Sequence, residues 1–346
     1  MKLRLLDWLA CPACGGDNLL IDIVRGEDRP AFSGHWEPDE SVPGAGRRTL
    51  TEVRTGTLRC RQCQSSYPVV DGVPRMLPPE TDAGPASGHR WTEFGRSVPE
   101  FEENFNDLAA PLKPTDWAGK LVLDAGAGFG RHAYFAARYG AEVVALDSSA
   151  DAVASASRNL GDLVRAHVVQ GDVRRPPLKK RLFDIVYSFG VLHHVEAPHS
   201  TWLALDELVR PGGRLSTWTY GPRQGLVKIA NGALRGATRE MSSEQLHRSS
   251  QVIAAGLRMF SHTPTRILGG LPGFSSVVTH LPVHDHHRWP FEVVVADVYD
   301  RLRVPVTATF PGEELERWYA EAGYADIYVS RRVRNTESFR ATGVKR

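Results

Sequence analysis

The sequence is poor in cysteine, with four in 346 residues, and all four fall within its first 63 positions. A secreted fold held by disulfides needs a denser framework, which excludes that class. Long apolar runs are missing as well. None approaches the ~20 residues of a membrane span, so no membrane partner is expected. Residues 1–10 interleave Lys2, Arg4 and Asp7 with leucines and lack the apolar stretch of a secretory signal. Together these absences point to the cytoplasm. Charge of one sign is not in excess: 42 Lys and Arg face 40 Asp and Glu, for a net charge of +2. That balance offers little electrostatic drive toward nucleic acid. What remains, 42% hydrophobic and 24% charged residues, is the mix of a soluble globular chain. The length suggests about two domains.

Residues 1–79 read as one small unit. An amphipathic turn (Leu3, Leu5, Leu6, Leu9) leads into one cysteine pair. A Gly/Pro/charge-rich stretch near 26–48 reads as an insertion in a hairpin. A second pair and a short strand within 67–77 close the unit. Residues 80–117 read as a linker and a covering helix with aromatics at helical spacing (Trp91, Phe94, Phe101, Phe105). From 118 to 346, strands at 121–123, 143–146, 168–170, 183–187 and 214–218 alternate with helices at 131–139, 150–160 and 202–209. That alternation predicts an α/β fold with a doubly wound, Rossmann-like parallel sheet. A stretch of about 221–305 breaks the rhythm, with helices near 242–260 and 291–302, and reads as a helical lid insertion over the ligand edge. A helix at 312–322 and one closing strand at 327–330 complete the reading.

The cysteines form two C-x2-C knuckles, Cys11 with Cys14 and Cys60 with Cys63. Two knuckles supply four thiolates for a closed, tetrahedral, structural zinc site. The alternative is two independent thiol pairs or a redox pair, but a redox pair would need no second knuckle and a thioredoxin-like context. The flanking residues 5–15 (LLDWLACPACG) and 67–77 (YPVVDGVPRML) resemble the zinc-ribbon family that activates several tRNA and protein methyltransferases as a small partner subunit. The resemblance implies a stabilising or docking module, here fused to its enzyme.

At 124–131 the sequence Asp-Ala-Gly-Ala-Gly-Phe-Gly-Arg follows a buried strand and opens a helix. Glycines there let backbone approach a ligand closely. A dinucleotide fingerprint would place its third glycine at Arg131, and no Gly-Lys-Ser/Thr of a P-loop follows. The pattern resembles motif I of class I S-adenosylmethionine methyltransferases. Asp147 after the second strand, Gly171-Asp172-Val173 after the third, and residues 183–194 at the fourth agree with it. The resemblance implies S-adenosyl-L-methionine as cofactor, with Asp124 and the backbone of Gly126 facing its methionine part. It further implies that Asp147 accepts from the ribose hydroxyls and Asp172 from the adenine amino group. Gly128, Gly130, Ser148, Val173 and Ser188 complete the candidate cofactor set. Taken singly, each acid could equally be a solvated turn residue or helix cap.

An in-line methyl transfer needs alignment and exclusion of water, and a hydroxyl or protonated amine acceptor also needs a base. Histidine suits that role near neutral pH. The candidates are His193 and His194 after the fourth strand, and His286 and His287 in the lid; each also reads as packing or a polar surface loop. The C-terminal part resembles methyltransferases of the quinone-biosynthesis type, although 306–310 (VTATF) stands where several of those carry a histidine. Lid aromatics (Phe260, Phe274, Trp289, Phe291, Tyr299) suit an apolar pocket or, equally, a local core. The leading function is therefore methyl transfer to O, N or C of a small-molecule substrate. The others are an RNA or protein methyltransferase that docks substrate through the ribbon, and a non-catalytic binding protein on the cofactor fold.

Overall fold

The structure is a computed structural model describing residues 1–28, 51–78, 99–222, 234, 236–238, 240–268, 271, 287–303, 308–332 and 338–346. A single 3-10 turn, Leu3–Asp7, opens the chain. β1 (Leu19–Asp28) pairs antiparallel with β2 (Thr51–Cys60), and β3 (Ser66–Val70) and β4 (Val73–Pro74) extend that sheet. In β3 the alternation dictated by the pleat is clean, with Tyr67 and Val69 inward and their neighbours outward. The expected hairpin insertion lies almost wholly outside the described residues. The strands that flank it pair up to Asp28 opposite Thr51, with the register shifting on either side of Arg25.

The larger sheet has seven strands in the order β10-β11-β9-β8-β5-β6-β7. They are β5 (Leu121–Ala125), β6 (Glu142–Asp147), β7 (Ala166–Gln170), β8 (Phe183–Phe189), β9 (Val209–Tyr220), β10 (Tyr324–Arg331) and β11 (Ser338–Lys345). β5 to β9 run parallel to their neighbours, and β11 is antiparallel to both β9 and β10. One face carries α1 (Pro99–Ala109), α2 (Arg131–Arg138) and α3 (Ala150–Leu160); the other carries α4 (Pro198–Asp206) and α8 (Gly312–Glu321). α3 starts at its serine cap, where Ser149 Oγ accepts from the Ala152 N–H at 3.3 Å. From β5 the chain steps outward to β6 and β7, then returns across to β8. The winding direction reverses between β5 and β8, and their carboxyl ends open the crevice where such sheets bind ligands.

The structure departs from the sequence reading at two elements of this domain. The helix expected at 202–209 begins at Pro198 and ends at Asp206, so Val209 opens β9. The single closing strand is a pair, and its second member, β11, is inserted beside β9.

The lid contains α5 (Ser243–Leu257), a π-helical turn Arg258–His262, α6 (Thr263–Leu268) and α7 (Phe291–Arg303). Ser242 and Gln245 form a reciprocal capping box at its start. α5 packs along α7.

The ribbon is seated on the β7 edge of the large sheet. Arg75 and Gln170 form a parallel bridge, and Leu9 and Leu178 an antiparallel one. The Met76 N–H donates to the Gln170 carbonyl at 2.8 Å, Ala10 N–H to Pro177 O at 3.0 Å, and Lys179 N–H to Trp8 O at 2.9 Å. Buried residues of the ribbon (Leu5, Trp8, Leu9, Met76) and of the sheet (Leu146, Val169, Leu178) belong to one continuous apolar core. The edge strand is thereby covered rather than left as a template for aggregation.

Candidate functional site

Three glycines after β5 adopt left-handed backbone, with φ of 88° at Gly126, 55° at Gly128 and 84° at Gly130. Their reasons differ. A Cβ on Gly126 would lie 2.2 Å from Val191 Cγ2, so the turn passes tightly beneath the loop that follows β8. A Cβ on Gly130, the residue before α2, would lie 2.9 Å from Leu160 of α3. A Cβ on Gly128 would meet nothing within 4 Å. Gly128 thus presents bare backbone to open space, as a loop that admits a ligand must.

Two acids flank this turn. Asp147 closes β6, and its carboxylate accepts from the Gly128 N–H at 2.9 Å and from the Ser149 N–H at 2.9 Å. Burial raises its pKa above the usual carboxylate range, and those two amides oppose the rise. Asp124 lies inside β5, 1% exposed, and its Oδ2 makes no close hydrogen bond among the described residues, although the Tyr187 hydroxyl and the Ala133 amide face the carboxyl. Burial pushes its carboxyl up to about 7. Burial, and then the Asp124 charge, hold the Tyr187 phenol well above its ordinary value. A buried carboxylate so loosely held at a strand's carboxyl end has room for a ligand's donor.

Asp172 is placed differently from the expectation of a bare acceptor. Arg174 grips it through Nε at 3.0 Å to each oxygen, Nη2 at 2.7 Å to Oδ2, and its backbone N–H at 2.8 Å to Oδ1. Val173 is buried beside it. Ser188 is fully buried, and its hydroxyl donates to the Ala125 carbonyl at 3.1 Å, tying the ends of β8 and β5 together. The Ser148 carbonyl accepts from Gln170 Nε2 at 2.9 Å.

Sequence reasoning did not single out Gln170. Its side chain joins the ribbon to this rim: Arg75 Nη1 donates to Oε1 at 3.3 Å, while Nε2 holds the residue next to Asp147. A polar side chain at the buried end of an otherwise apolar strand is the one signal that could have drawn attention to it.

The histidines separate. His193 is buried, its ring 4.2 Å from that of Tyr220 at a tilt of 40° and edge-on to Trp218, and its Nδ1 accepts from the Tyr220 N–H at 3.4 Å. His194 is half-buried, with its ring 4.2 Å from that of His193. His287 is half-buried ahead of α7. His286 lies outside the described residues, as do His284 and Phe274. Of the lid aromatics, Trp289 and Tyr299 are buried and Phe291 half-buried, whereas Phe260 is 69% exposed.

In the ribbon, the Sγ atoms of Cys11, Cys14, Cys60 and Cys63 lie within 4.8 Å of one another, with Cys11 to Cys63 at 3.6 Å and Cys14 to Cys60 at 3.7 Å. A tetrahedron with Zn–S bonds of about 2.3 Å has edges of about 3.8 Å, so the donor set fits that ion. The two knuckles repeat one hydrogen-bond pattern. Gly15 N–H donates to Cys11 O and Gln64 N–H to Cys60 O, and the amides of Cys11 and Cys60 donate to Gly16 O and Ser65 O. The Tyr67 hydroxyl lies 3.1 Å from Cys11 Sγ, placed to orient a thiolate.

With this geometry in view, comparison with known proteins gives two family matches. Residues 123–217 match the methyltransferase domain family and residues 2–72 the Trm112p-like protein family. Over 103 residues the chain is 38% identical to the mitochondrial ubiquinone biosynthesis O-methyltransferase of Schizosaccharomyces pombe, covering 29% of this chain and 37% of that protein. It is 32% identical over 133 residues to a malonyl-acyl-carrier-protein O-methyltransferase of Enterobacter lignolyticus, covering 36% of this chain and 51% of that one. It is 34% identical over 106 residues to a tRNA U34 carboxymethyltransferase of Idiomarina loihiensis, covering 29% and 32%. The chain spans about half or less of the length of these relatives. Fold, turn and matches define a class I S-adenosylmethionine-dependent methyltransferase domain. In this chain it is fused to a Trm112p-like unit.

Proposed function

We propose that the chain transfers a methyl group from S-adenosylmethionine to an O, N or C nucleophile of a small molecule, and that its four cysteines hold structural zinc. The observation that carries the first part is Asp124 Oδ2, buried without a close donor, beside a glycine turn whose middle glycine faces open space. A cofactor's ammonium group supplies a donor to Asp124, and its ribose hydroxyls add donors to those that Gly128 and Ser149 already give Asp147. Bound there, the cofactor contributes a methyl group already activated by a sulfonium. The chain's own residues then bind, orient and exclude water. Asp124 and the Gly126 backbone take the methionine end, Asp147 the ribose, and Asp172 with Val173 the adenine. His194, half-buried after β8, is the proton acceptor of the pair, and His193 supports it within the Trp218–Tyr220 cluster. Two of the relatives named above are O-methyltransferases by name, and the third is a tRNA carboxymethyltransferase.

The ribbon's role in this reading is to fix the cofactor rim. It brackets the segment containing Asp172 from Gln170 to Lys179, and it reaches Ser148 through Gln170. The test is calorimetric titration with S-adenosylhomocysteine. Asp147→Ala removes two charge-assisted acceptor positions and should weaken binding on the order of a hundredfold while the thermal transition persists. Unchanged affinity in that variant would remove Asp147 from the site.

A further inference from the structure

The lid helices carry large apolar residues on their outer face, unlike an ordinary surface element. Along α5, the π turn and α6, the buried positions are Leu246, Ser250, Ala254, Ser261, His262 and Thr265, mostly small or polar. Ile253 and Leu257 pack inward with them, but a second set of large apolar residues is turned outward: Val252 is 72% exposed, Met259 60%, Phe260 69% and Ile267 66%, and Leu271 just beyond is half-exposed. Single exposed apolar residues need no explanation, but this stripe holds five of the thirteen exposed large apolar side chains among the described residues. The stripe runs from α5 through the π turn into α6. Basic residues accompany the stripe. Arg248, one turn before Val252, pairs with Glu244, the one acid of these helices, at 2.7 Å; Arg258 beside Met259 lies over the Phe291 ring; and Arg266 beside Ile267 is exposed.

We propose that this face of α5–α6 lies on an anionic lipid surface, with Phe260, Met259, Ile267 and Val252 inserted among the acyl chains and the arginines at the headgroups. An in-plane helix of this kind needs an apolar face flanked by cations and requires no straight seam. A second copy of the chain is the poorer occupant. Helix pairing needs an unbroken register, and the π turn at 258–262 shifts it in the middle of the stripe. Self-association would also bring the cationic helix against itself. No helix among the described residues is long and apolar enough to cross a membrane, so the contact is peripheral. The inference does not depend on methyl transfer.

The test is flotation of the full-length protein with phosphatidylcholine vesicles and with vesicles of phosphatidylcholine and phosphatidylglycerol. Binding to the mixed vesicles is expected, with much less to phosphatidylcholine alone. The double variant Phe260→Ser/Ile267→Ser should lose it by roughly tenfold, and Arg266→Glu should reduce it and its salt sensitivity. Both variants change exposed residues and should keep their thermal transition and their S-adenosylhomocysteine affinity, which separates this outcome from any failure of the cofactor site. Absence of flotation with either vesicle, or flotation unchanged in the double variant, would overturn the proposal. So would a dimer in analytical ultracentrifugation that the double variant dissolves, which would assign the face to a second copy.

Discussion

Buried charges are handled in opposite ways at the ribbon–sheet seam and at the cofactor rim. At the seam the charges are matched. Lys2 Nζ donates to Leu163 O at 2.8 Å and to Ala166 O, Arg4 meets Glu142 at 3.1 Å, and Glu142 accepts from His167 at 2.8 Å, while Trp8 packs edge-on against the same imidazole. At the rim, a carboxylate oxygen of Asp124 is buried with no close donor, facing the Tyr187 hydroxyl. The seam also leaves a buried atom without a partner, His167 Nδ1, so the contrast is one of charge: Lys2, Arg4 and Glu142 are paired at the seam, whereas at the rim it is a carboxylate that has room for a further donor.

The largest test of that contrast is Cys60→Ser. A four-thiolate site loses its closed tetrahedron when one ligand is removed, and structural zinc contributes folding energy outright. Metal analysis should show zinc lost, and soluble yield should fall steeply because the ribbon shares its core with the sheet. A variant with normal zinc content would refute the four-cysteine site.

Next in size is the pH dependence at Asp124. Its folded pKa of about 7 lies above the ordinary aspartate value of 3.8. The raised value means that this group's contribution to stability is greatest below about pH 4 and is lost as pH rises through about 7, a change of roughly 4 kcal/mol at most. A ligand ammonium favours the ionised form, so the linkage for binding runs the other way. S-adenosylhomocysteine affinity should climb by up to about tenfold per pH unit below 7 and level off above it. Proton release, read by calorimetry in buffers of different ionisation enthalpy, should disappear in Asp124→Asn. A flat profile in the wild type would mean that Asp124 Oδ2 faces no cationic ligand.

How far these features were legible in the sequence follows from what holds each one. The parallel strands and the glycine turn are written in apolar runs and in residues that tolerate positive φ, so they could be read directly. β11 could not, because its buried positions are Ser338, Arg340, Ala341 and Thr342. Thr342 is satisfied by Ser216 at 2.8 Å and Arg340 by Asp107 at 2.8 Å, partners 126 and 233 residues away. The lid defeated periodicity for a related reason. A 3.6-residue period picks out one apolar face, and here apolar residues lie on both: Leu246, Ile253 and Leu257 inward, Val252, Met259 and Phe260 outward. At the rim, the candidate acids were named from their strand ends, but the Arg174 grip on Asp172 and the link through Gln170 exist only in three dimensions.

That link provides the smallest and sharpest test, since Gln170 belongs to the seam and the rim at once. Gln170→Ala removes the acceptor for Arg75 and the donor to the Ser148 carbonyl but leaves the backbone bond from Met76 in place. Zinc content and fold should survive. One charge-assisted and one neutral hydrogen bond are lost, and the neutral one to Ser148, about 1 kcal/mol, bears on the proposed ribose loop and should weaken S-adenosylhomocysteine binding by about fivefold. Arg75→Ala should reproduce part of that loss from within the ribbon, because it frees Gln170 without touching the sheet. If Gln170→Ala weakens binding while Arg75→Ala has no effect, the ribbon covers the edge strand without orienting the site. If both weaken it and zinc remains bound, the seam positions the rim, and the fused ribbon acts on cofactor binding through a side chain rather than through stability alone.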